Sequence, residues 1–375
     1  MRILIAPDKF KGTLTGVEAA AAMSEGALRV YPDAVVTALP VADGGEGTLE
    51  AAVAAGFEER INAVVGPIIK PVGAAWALGS GEGHHTVTAV IETAQASGYL
   101  LAEPTVENSL RAHSYGSGQL IAAALEAGAQ EIIIGLGGSA MTDAGTGALR
   151  ALGLKLLDAA GNLVPLGGGS LGDVASIDAS GLDPRLSAVR IRMAVDVDNP
   201  LYGFNGAAHI FGPQKGADAD SVELLDAGLR HLASLVRADT GVDINITGAG
   251  AAGGFPSMFV AYANASIERG FDLVAEMIDL DAALADADLV ITGEGSMDDQ
   301  SLSGKAPIGV ADAAHARGLP VVVVAGRILV TPEQLAAHGV VSAVSATDVA
   351  RSSEAALAEA AKYTTLATSE ALNGI

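Results

Sequence analysis

Four of the seven lysines in the sequence lie in short glycine-rich segments, and carboxylates lie in the same or similar segments. The lysines are Lys9, Lys11, Lys215 and Lys305. The carboxylates are Asp8, Asp43, Glu46, Asp143, Asp196, Asp198, Glu294 and Asp298. Lysines neutralise anionic oxygens, carboxylates bind divalent cations or accept a proton, and glycines let the backbone approach a ligand closely. Together these residue types indicate phosphoryl transfer, where positioning and charge neutralisation supply most of the catalysis.

Three of these segments follow short apolar runs that are typical of buried strands. They span residues 7–13, 42–48 and 293–305. Because the carboxyl ends of parallel strands meet at one edge of a sheet, we expect the three segments to converge there. A predicted helix follows each segment, and helix N-termini favour anions. The sequence therefore predicts a binding site for a small anion at this edge.

The middle of the chain contributes three more loops of this kind, at residues 135–147, 196–201 and 211–217. Successive backbone N–H groups in the first loop could bind phosphate. Asp196 and Asp198 are separated by one residue, which suits a Mg²⁺ ion, or one base and one metal ligand. The third loop carries Lys215.

Structural roles would also explain several of these residues. Asp43, Asp143 and Asp298 could each cap a helix or form a turn. Lys215 could be the solvated tip of a turn. Asp196 and Asp198 would face the same side if they lay on a strand, where a purely structural pair is also conceivable.

The elements that must position these loops alternate between strand and helix at both ends of the chain. Short, wholly apolar strands separated by helices predict a parallel sheet covered on both faces. We predict an α/β fold with a flavodoxin-like parallel-sheet domain, formed by residues 1–60 and 286–375. A large mixed α/β domain, residues 61–285, is predicted to be inserted into it, with the active site in the cleft between the two. Single helices are expected at 148–157, 256–268 and 353–372.

The composition excludes several classes of protein. The chain has 375 residues, a formal net charge of −23, 50% hydrophobic residues and no cysteine. It is too apolar for a disordered chain, it cannot form disulfides or thiolate sites, and its charge argues against nucleic acid or an anionic membrane as partner. The apolar run at 3–6 is too short for a signal peptide, and 244–267 contains glycines and Pro256, so we predict no membrane span. We expect a soluble, cytoplasmic protein, and the sequence leaves open whether it forms a homodimer.

Some motif matches lack their required context. Residues 248–253 fit G-x-G-x-x-G and residues 135–140 fit its variant ending in alanine, yet neither lies in a clean βαβ unit. An NAD-linked dehydrogenase is therefore a weak alternative. Residues 168–172 fit G-x-S-x-G without a strong preceding strand. His84 and His85 are predicted to lie in a surface turn.

Taken in order, the loops resemble those of the bacterial glycerate kinase family. The matching segments are APDKFKGTLT, PVADGGEGT, GLGGSAMTDAGTGALRALG, DVDNPLYG, FGPQKGA, GAGAAGGF and ITGEGSMDDQSLSGKAPIGVA. The resemblance implies phosphorylation of D-glycerate with ATP and Mg²⁺, with 2-phosphoglycerate favoured over 3-phosphoglycerate as product, in glyoxylate metabolism. It also implies a flavodoxin-like domain that carries a large insertion. Met141, Thr142 and Ser296 depart from the usual family pattern, which leaves a kinase of a related sugar acid, or a non-catalytic sugar-acid sensor, as alternatives.

These considerations give each candidate residue a predicted role. Asp196 is the predicted base for the acceptor hydroxyl, and Asp198 and Glu294 are predicted Mg²⁺ ligands. Lys9, Lys11 and Lys305 are predicted to neutralise the substrate carboxylate and the transferring phosphoryl group. The predicted substrate- or nucleotide-binding residues are Asp8, Asp43, Gly44, Gly45, Gly47, Gly137, Gly138, Ser139, Asp143, Asn199 and Lys215.

Overall fold

The structure of the protein is a computed structural model that describes residues 1–79 and 86–375. The predicted surface turn with His84 and His85 lies outside the described residues. The strands are β1 (Arg2–Ile5), β2 (Val35–Ala38), β3 (Glu58–Val65), β4 (Pro71–Gly79), β5 (Thr88–Glu92), β6 (Glu131–Gly135), β7 (Lys155–Leu157), β8 (Ser176–Asp178), β9 (Arg190–Val195), β10 (Ser266–Arg269), β11 (Leu289–Thr292), β12 (Ser296–Met297), β13 (Val321–Ala325), β14 (Arg327–Ile328) and β15 (Val340–Ser345).

Helices separate most of these strands. The α-helices are α1 (Gly16–Val30), α2 (Thr48–Ala54), α3 (Thr93–Ser97), α4 (Val106–Arg111), α5 (Tyr115–Glu126), α6 (Thr146–Ala151), α7 (Ala207–Phe211), α8 (Ala219–Thr240), α9 (Ala251–Gly254), α10 (Pro256–Tyr262), α11 (Gly270–Met277), α12 (Leu280–Ala285), α13 (Ala306–His315), α14 (Pro332–Ala336), α15 (Ala346–Ala350), α16 (Ser353–Ala358) and α17 (Ala360–Asn373). Short 3-10 turns occur at Tyr99–Leu101, Gly168–Asp173, Pro184–Ser187, Pro213–Lys215 and Ser301–Ser303. None of the helices in the described ranges is long and apolar enough to cross a membrane.

The chain divides into two compact units. The first unit comprises Met1–Asp43, Glu50–Gly56 and Phe271–Ile375, and the second comprises Gly44–Leu49 and Phe57–Gly270. This division differs from the predicted boundaries. At the second boundary, α11 and α12 belong to the first unit and not to the insertion, because side chains such as Val274 and Leu284 pack into the core of the first unit.

The first unit is built on a parallel sheet with the strand order β2-β1-β11-β13-β15. When only the five strands of this sheet are numbered along the chain, the order is 2-1-3-4-5, which is the flavodoxin-like order. Alternating residues of the central strands β1, β11 and β13 enter two separate cores, so that Val290 lies in one while Leu289 and Ile291 lie in the other. Burial on both faces explains why the central strands β1, β11 and β13 are mostly apolar, whereas the edge strands β2 and β15 are partly exposed. The predicted fold of this unit is confirmed.

The second unit contains a mixed sheet with the strand order β10-β9-β6-β5-β4-β3. The four strands β10, β9, β6 and β5 are parallel, and the hairpin of β3 and β4 continues the sheet in antiparallel pairing. Its core includes Ile132 and Ile134 of β6 together with Leu229 and Phe255 from the helices. The prediction of a mixed α/β architecture is confirmed.

Three predicted helices are shorter than expected. The segment 148–157 leaves the helix after Ala151 and continues as β7, and the segment 256–268 leaves it after Tyr262 and continues as β10. The predicted final helix breaks at Glu359, whose backbone is not helical. The break lets α17 pack closely on α1, where Thr365 Oγ1 donates to Ala22 O at 3.0 Å.

Candidate active site

In the first unit, the segments that follow β1 and β11 lie side by side at the carboxyl edge of the sheet. These two strands are neighbours, and the backbone N–H of Asp8 donates to the carbonyl of Gly293 at 2.9 Å. Asp43 and Glu294 both act electrostatically on Asp8. Two carboxylates predicted from the sequence therefore influence the charge of a third, Asp8, in this unit.

Asp8 is a buried carboxylate in a crowded electrostatic environment. Its side chain is close to Lys9, with 3.5 Å between Asp8 Oδ1 and Lys9 Nζ, and it also accepts the Lys9 N–H at 2.7 Å. Burial nevertheless raises the pKa of Asp8 to about 7, although Lys9 opposes the shift; the nearby Asp43 and Glu294 add to it. Asp8 therefore changes charge close to neutral pH.

The raised pKa of Asp8 predicts how the stability of the protein depends on pH. A raised pKa means that, between about pH 4 and pH 7, the folded state binds more protons than the unfolded state, so stability falls as the pH rises through this window. We expect Asp8→Asn to remove this cost and to be more stable than the parent protein at pH 8. The gain should exceed the gain at pH 5 by about 2 kcal/mol.

Urea denaturation of both proteins at pH 5 and pH 8 measures this difference. Asp33→Asn, which changes an exposed carboxylate in the same unit, should show no such pH-dependent gain. Equal gains in stability for Asp8→Asn at the two pH values would contradict a raised pKa of Asp8.

Glu294 has an unsatisfied oxygen. Its Oε1 is buried without a hydrogen-bond partner. Burial raises the pKa of Glu294. A hydrogen bond from Ser301 and the charge of Lys305 oppose this shift, whereas the charges of Asp298 and Asp43 add to it. A buried carboxylate oxygen without a donor suits a cation or a ligand hydroxyl group.

The lysines of the first unit differ in exposure. The Lys9 side chain is 18% exposed, whereas Lys11 is exposed to solvent. Lys305 is half-buried and occupies the N-cap position of α13, after Gly304 with its φ of 92°. Asp298 accepts the N–H groups of Gln300 and Ser301 and so forms the preceding turn, as the structural alternative for this residue proposed.

In the second unit, two glycine-rich segments run against each other at the carboxyl edge of the sheet. The carbonyl of Gly44 accepts the Leu136 N–H at 3.1 Å. A side chain at Gly137 would lie 2.9 Å from both the Glu46 nitrogen and the Gly45 Cα, and one at Gly44, where φ is 85°, would lie 2.6 Å from Ala194 Cβ. Glycine is needed here because the backbones pack directly on each other.

Glu92 is a buried acid beside the candidate site that the sequence reasoning missed. It ends β5 and is only 5% exposed, and its Oε1 accepts the Leu49 N–H at 2.9 Å. Burial raises its pKa, while N–H groups of Leu49 and Gly47 lower it. Glu92 thus fixes the segment that contains Gly47. A single acid at the end of an apolar strand was the available signal.

Asp143 belongs to the loop 135–147 and is fully buried. Its carboxylate accepts the N–H and the hydroxyl group of Ser114, at 2.9 and 2.8 Å, and the N–H groups of Gly145 and Gly147, both at 3.1 Å. These contacts agree with the structural alternative raised from the sequence. Direct binding of a ligand by Asp143 stays a prediction.

Lys215 is buried and braces the same loop. Its Nζ donates to the carbonyl of Met141 at 2.5 Å and to Ser139 Oγ at 3.3 Å. Burial lowers the pKa of Lys215 to about 7, although the negative charge of Asp143 opposes the shift. The alternative that Lys215 is a solvated turn tip is wrong, because the side chain points into the fold and is 6% exposed.

Asp196 and Asp198 lie in the loop that follows β9, not on the strand itself. Asp196 is exposed, and its Oδ1 accepts the Gly270 N–H at 2.9 Å, which fixes the carboxylate. Asp198 is exposed as well. Asn199 turns back on its own loop, where Nδ2 donates to the carbonyl of Asn205 at 2.7 Å. Because β5, β6 and β9 are parallel neighbours, Glu92, Gly137 and Asp196 follow adjacent strand ends.

Comparison with known proteins shows to which family the chain belongs. The sequence profile described as the Glycerate kinase family matches residues 3–374. The chain belongs to the glycerate kinase family. It is 46% identical over 365 residues to the glycerate kinase of Bacillus subtilis (strain 168), which covers 97% of this chain and 94% of that protein. It is also 46% identical over 342 residues to the glycerate 2-kinase of Escherichia coli (strain K12), covering 91% and 89%.

A solved structure supports the same membership in the glycerate kinase family. A chain from Salmonella typhimurium LT2 that carries the name glycerate kinase 2 superposes with a TM-score of 0.86 at 42% identity, covering 99% of this chain and 96% of that one. The predicted family and the predicted enzyme class, a glycerate kinase, are confirmed.

The three residues that the sequence analysis singled out as departures, Met141, Thr142 and Ser296, each have a defined place. Met141 and Thr142 are buried in the second unit, and Thr142 Oγ1 has no hydrogen-bond partner. Ser296 pairs with Arg327 between β12 and β14, and its Oγ accepts from Arg327 Nε at 2.9 Å. A guanidinium group therefore lies beside Ser296.

Proposed function

We propose that the protein transfers the γ-phosphoryl group of ATP to a hydroxyl group of D-glycerate in the presence of Mg²⁺, with 2-phosphoglycerate as the product. The observation that carries this proposal is the edge of the second unit, where an exposed Asp196 follows the strand next to a glycine-rich loop. A glycine-rich loop can bind phosphate through its backbone N–H groups. The name of the E. coli relative, glycerate 2-kinase, supports the choice of product.

In this proposal Asp196 orients and deprotonates the acceptor hydroxyl group. Its hydrogen bond from the Gly270 N–H holds Oδ1 in place, so the carboxylate is positioned before the substrate binds. Gly137, Gly138 and Ser139 bind phosphate oxygens. Gly138 has a φ of 64°, a left-handed conformation that occurs in backbone nests for anions.

The first unit supplies the positive charges and the other carboxylates. Lys9 and Lys305 neutralise anionic oxygens of the substrate or of the transferring phosphoryl group, and Lys11 is the exposed third candidate. Asp8 and Asp43 complete the polar lining of this unit. Whether residues of both units act in one active site stays a prediction.

The described residues include no group of three or more His, Cys, Asp or Glu side chains that could hold a metal ion. Mg²⁺ in kinases is bound by only one or two carboxylates, together with substrate phosphates and water, so the unsatisfied Oε1 of Glu294 fits the ion. Glu294 is the candidate ligand in the first unit and Asp198 the candidate in the second. When bound, Mg²⁺ neutralises charge on the β- and γ-phosphate oxygens.

Removal of divalent metal tests this part of the proposal. We expect excess EDTA to lower the rate of ADP release by more than about 100-fold, because the phosphate charge is then not neutralised. Addition of Mg²⁺ beyond the chelator should restore the rate. Undiminished turnover in EDTA would contradict the metal requirement, and the coupling enzymes of the assay are checked separately with added ADP.

Met141 and Thr142 raised two alternatives, a kinase of a related sugar acid and a non-catalytic sugar-acid sensor. The same assay tests both. ADP release with ATP, Mg²⁺ and D-glycerate is expected to exceed that with related sugar acids offered one at a time. A kinase of a related sugar acid would prefer another member of the series. A non-catalytic sensor would bind D-glycerate without releasing ADP.

A further inference from the structure

A buried carboxylate outside the sites described so far holds the loop that carries the proposed acceptor-binding residues. Asp226 lies on α8 and is 5% exposed. Its Oδ1 accepts the Gly203 N–H at 2.6 Å, and its Oδ2 accepts from the Arg230 side chain at 3.0 Å. We name residues 196–206 the acceptor loop. Asp196 begins this loop, and Gly203 lies near its other end.

The contact at Gly203 determines the shape of the acceptor loop. Gly203 has a φ of 99°, and its carbonyl accepts the Gly206 N–H at 2.7 Å, which closes a tight turn. The neighbouring Tyr202 N–H donates to Asn245 Oδ1 at 3.2 Å. Two consecutive backbone N–H groups of the loop are thus held by side chains from outside it.

The turn is connected to the residues that precede it in the loop. Asn199 Nδ2 donates to the carbonyl of Asn205, and the carbonyl of Asn199 accepts the Gly250 N–H at 2.9 Å. A displacement of Gly203 would therefore move Asn205, and with it the side chain of Asn199. Asn199 directly follows Asp198 and lies three residues from Asp196.

The surroundings of Asp226 hold its carboxylate in place. The Arg230 guanidinium stacks over the ring of Tyr202, with 4.4 Å from Cζ to the ring centroid. His209 on α7 lies with Nδ1 3.6 Å from Asp226 Oδ1, and its Nε2 is 3.2 Å from Glu223 Oε1. A buried carboxylate that accepts a backbone N–H and is matched by a cation is costly to replace with an apolar group.

We propose that Asp226 is a positioning residue for phosphoryl transfer, which acts through Gly203 to fix the acceptor loop in the conformation used for catalysis. It does not touch the substrate. The inference rests on the proposed function, because it assumes that residues of the acceptor loop bind or activate the acceptor hydroxyl group.

Two substitutions at this position separate positioning from charge. Asp226→Leu removes the acceptor of the Gly203 N–H, whereas Asp226→Asn keeps an oxygen that can accept it. We expect Asp226→Leu to lower kcat by about tenfold or more with a KM for ATP within about threefold of the parent value. Asp226→Asn should keep kcat within about threefold.

Glu223→Leu is the matched control on the same helix. Glu223 bonds the side chain of His209, whereas Asp226 bonds the loop backbone at Gly203, and the Glu223 side chain is 75% exposed. It should keep kcat within about twofold. If Asp226→Leu does not fold, as judged by thermal unfolding, then Asn245→Ala removes the other support, at Tyr202, and should lower kcat by about threefold or more.

Parent protein and Asp196→Asn are measured in the same series. If the parent protein releases no ADP with ATP, Mg²⁺ and D-glycerate, the proposed function fails. If the parent protein is active and Asp196→Asn is equally active, only the assignment of Asp196 as the base fails. If Asp196→Asn is inactive while a folded Asp226→Leu has the parent kcat, only the positioning role fails. An equal loss in Asp226→Asn and Asp226→Leu would also overturn it, because the retained oxygen would then not matter.

Discussion

Replacing Asp196 by asparagine is expected to lower kcat/KM for D-glycerate by more than about 100-fold, since the amide cannot take the proton of the acceptor hydroxyl group. The amide oxygen can still accept the Gly270 N–H, so the loop should keep its place and the thermal stability should change little. The loss should appear mainly in kcat, because the group acts as the proton moves.

Steady-state kinetics of ADP release, with thermal unfolding as a check of the fold, measures this effect. Asp178→Asn is a suitable control because Asp178 also ends a strand of the second unit, yet it bonds within its own turn to Ser180. It should retain the parent kcat/KM. A fully active Asp196→Asn enzyme would mean that another group takes the proton.

Lys9→Met is the second substitution for which we expect a loss of more than about 100-fold in kcat/KM. The ammonium group lies at the carboxyl edge of the sheet, beside Asp8, and is shielded from solvent, where a charge stabilises a developing anion more strongly than in water. Methionine keeps most of the length of the side chain and removes only the charge. Lys9 also lowers the pKa of Asp8, so its loss should shift the titration of Asp8 upward.

The same kinetic assay tests this prediction, with Lys155→Met as the control. Lys155 is 53% exposed and pairs with Asp178, so its removal should leave turnover unchanged. A Lys9→Met enzyme with parent activity would remove Lys9 from the site and leave Lys305 and Lys11 as the remaining candidates.

Much of the fold could be predicted because the relevant signals are local. Runs such as 3–6 and 321–325 are apolar at every position, which predicts buried parallel strands, and these strands lie in the flavodoxin-like sheet. The short strands β7 and β10 were missed because three or four residues at the end of an apolar helical pattern do not establish a new period. The break at Glu359 was missed because it depends on the packing of α17 against α1.

The candidate site could be predicted only in part. Glycines and lysines in loops after strands predict which segments form the site, and in the structure Asp43 and Glu294 act electrostatically on Asp8. The sequence does not predict the direction of a side chain in a loop. Asp143 and Lys215 point into the fold, where they bond to loop residues. Glu92 and Asp226 lie in a strand and a helix, and only tertiary structure connects them with the loops that they hold.

The most direct test of the account is a ³¹P NMR spectrum of the reaction of the purified protein with ATP, Mg²⁺ and D-glycerate. We predict that the γ-phosphate signal of ATP is replaced by the signal of 2-phosphoglycerate, identified by addition of the authentic compound, with one ADP formed for each product molecule. Appearance of inorganic phosphate alone, of 3-phosphoglycerate, or of no new signal would contradict the proposed reaction.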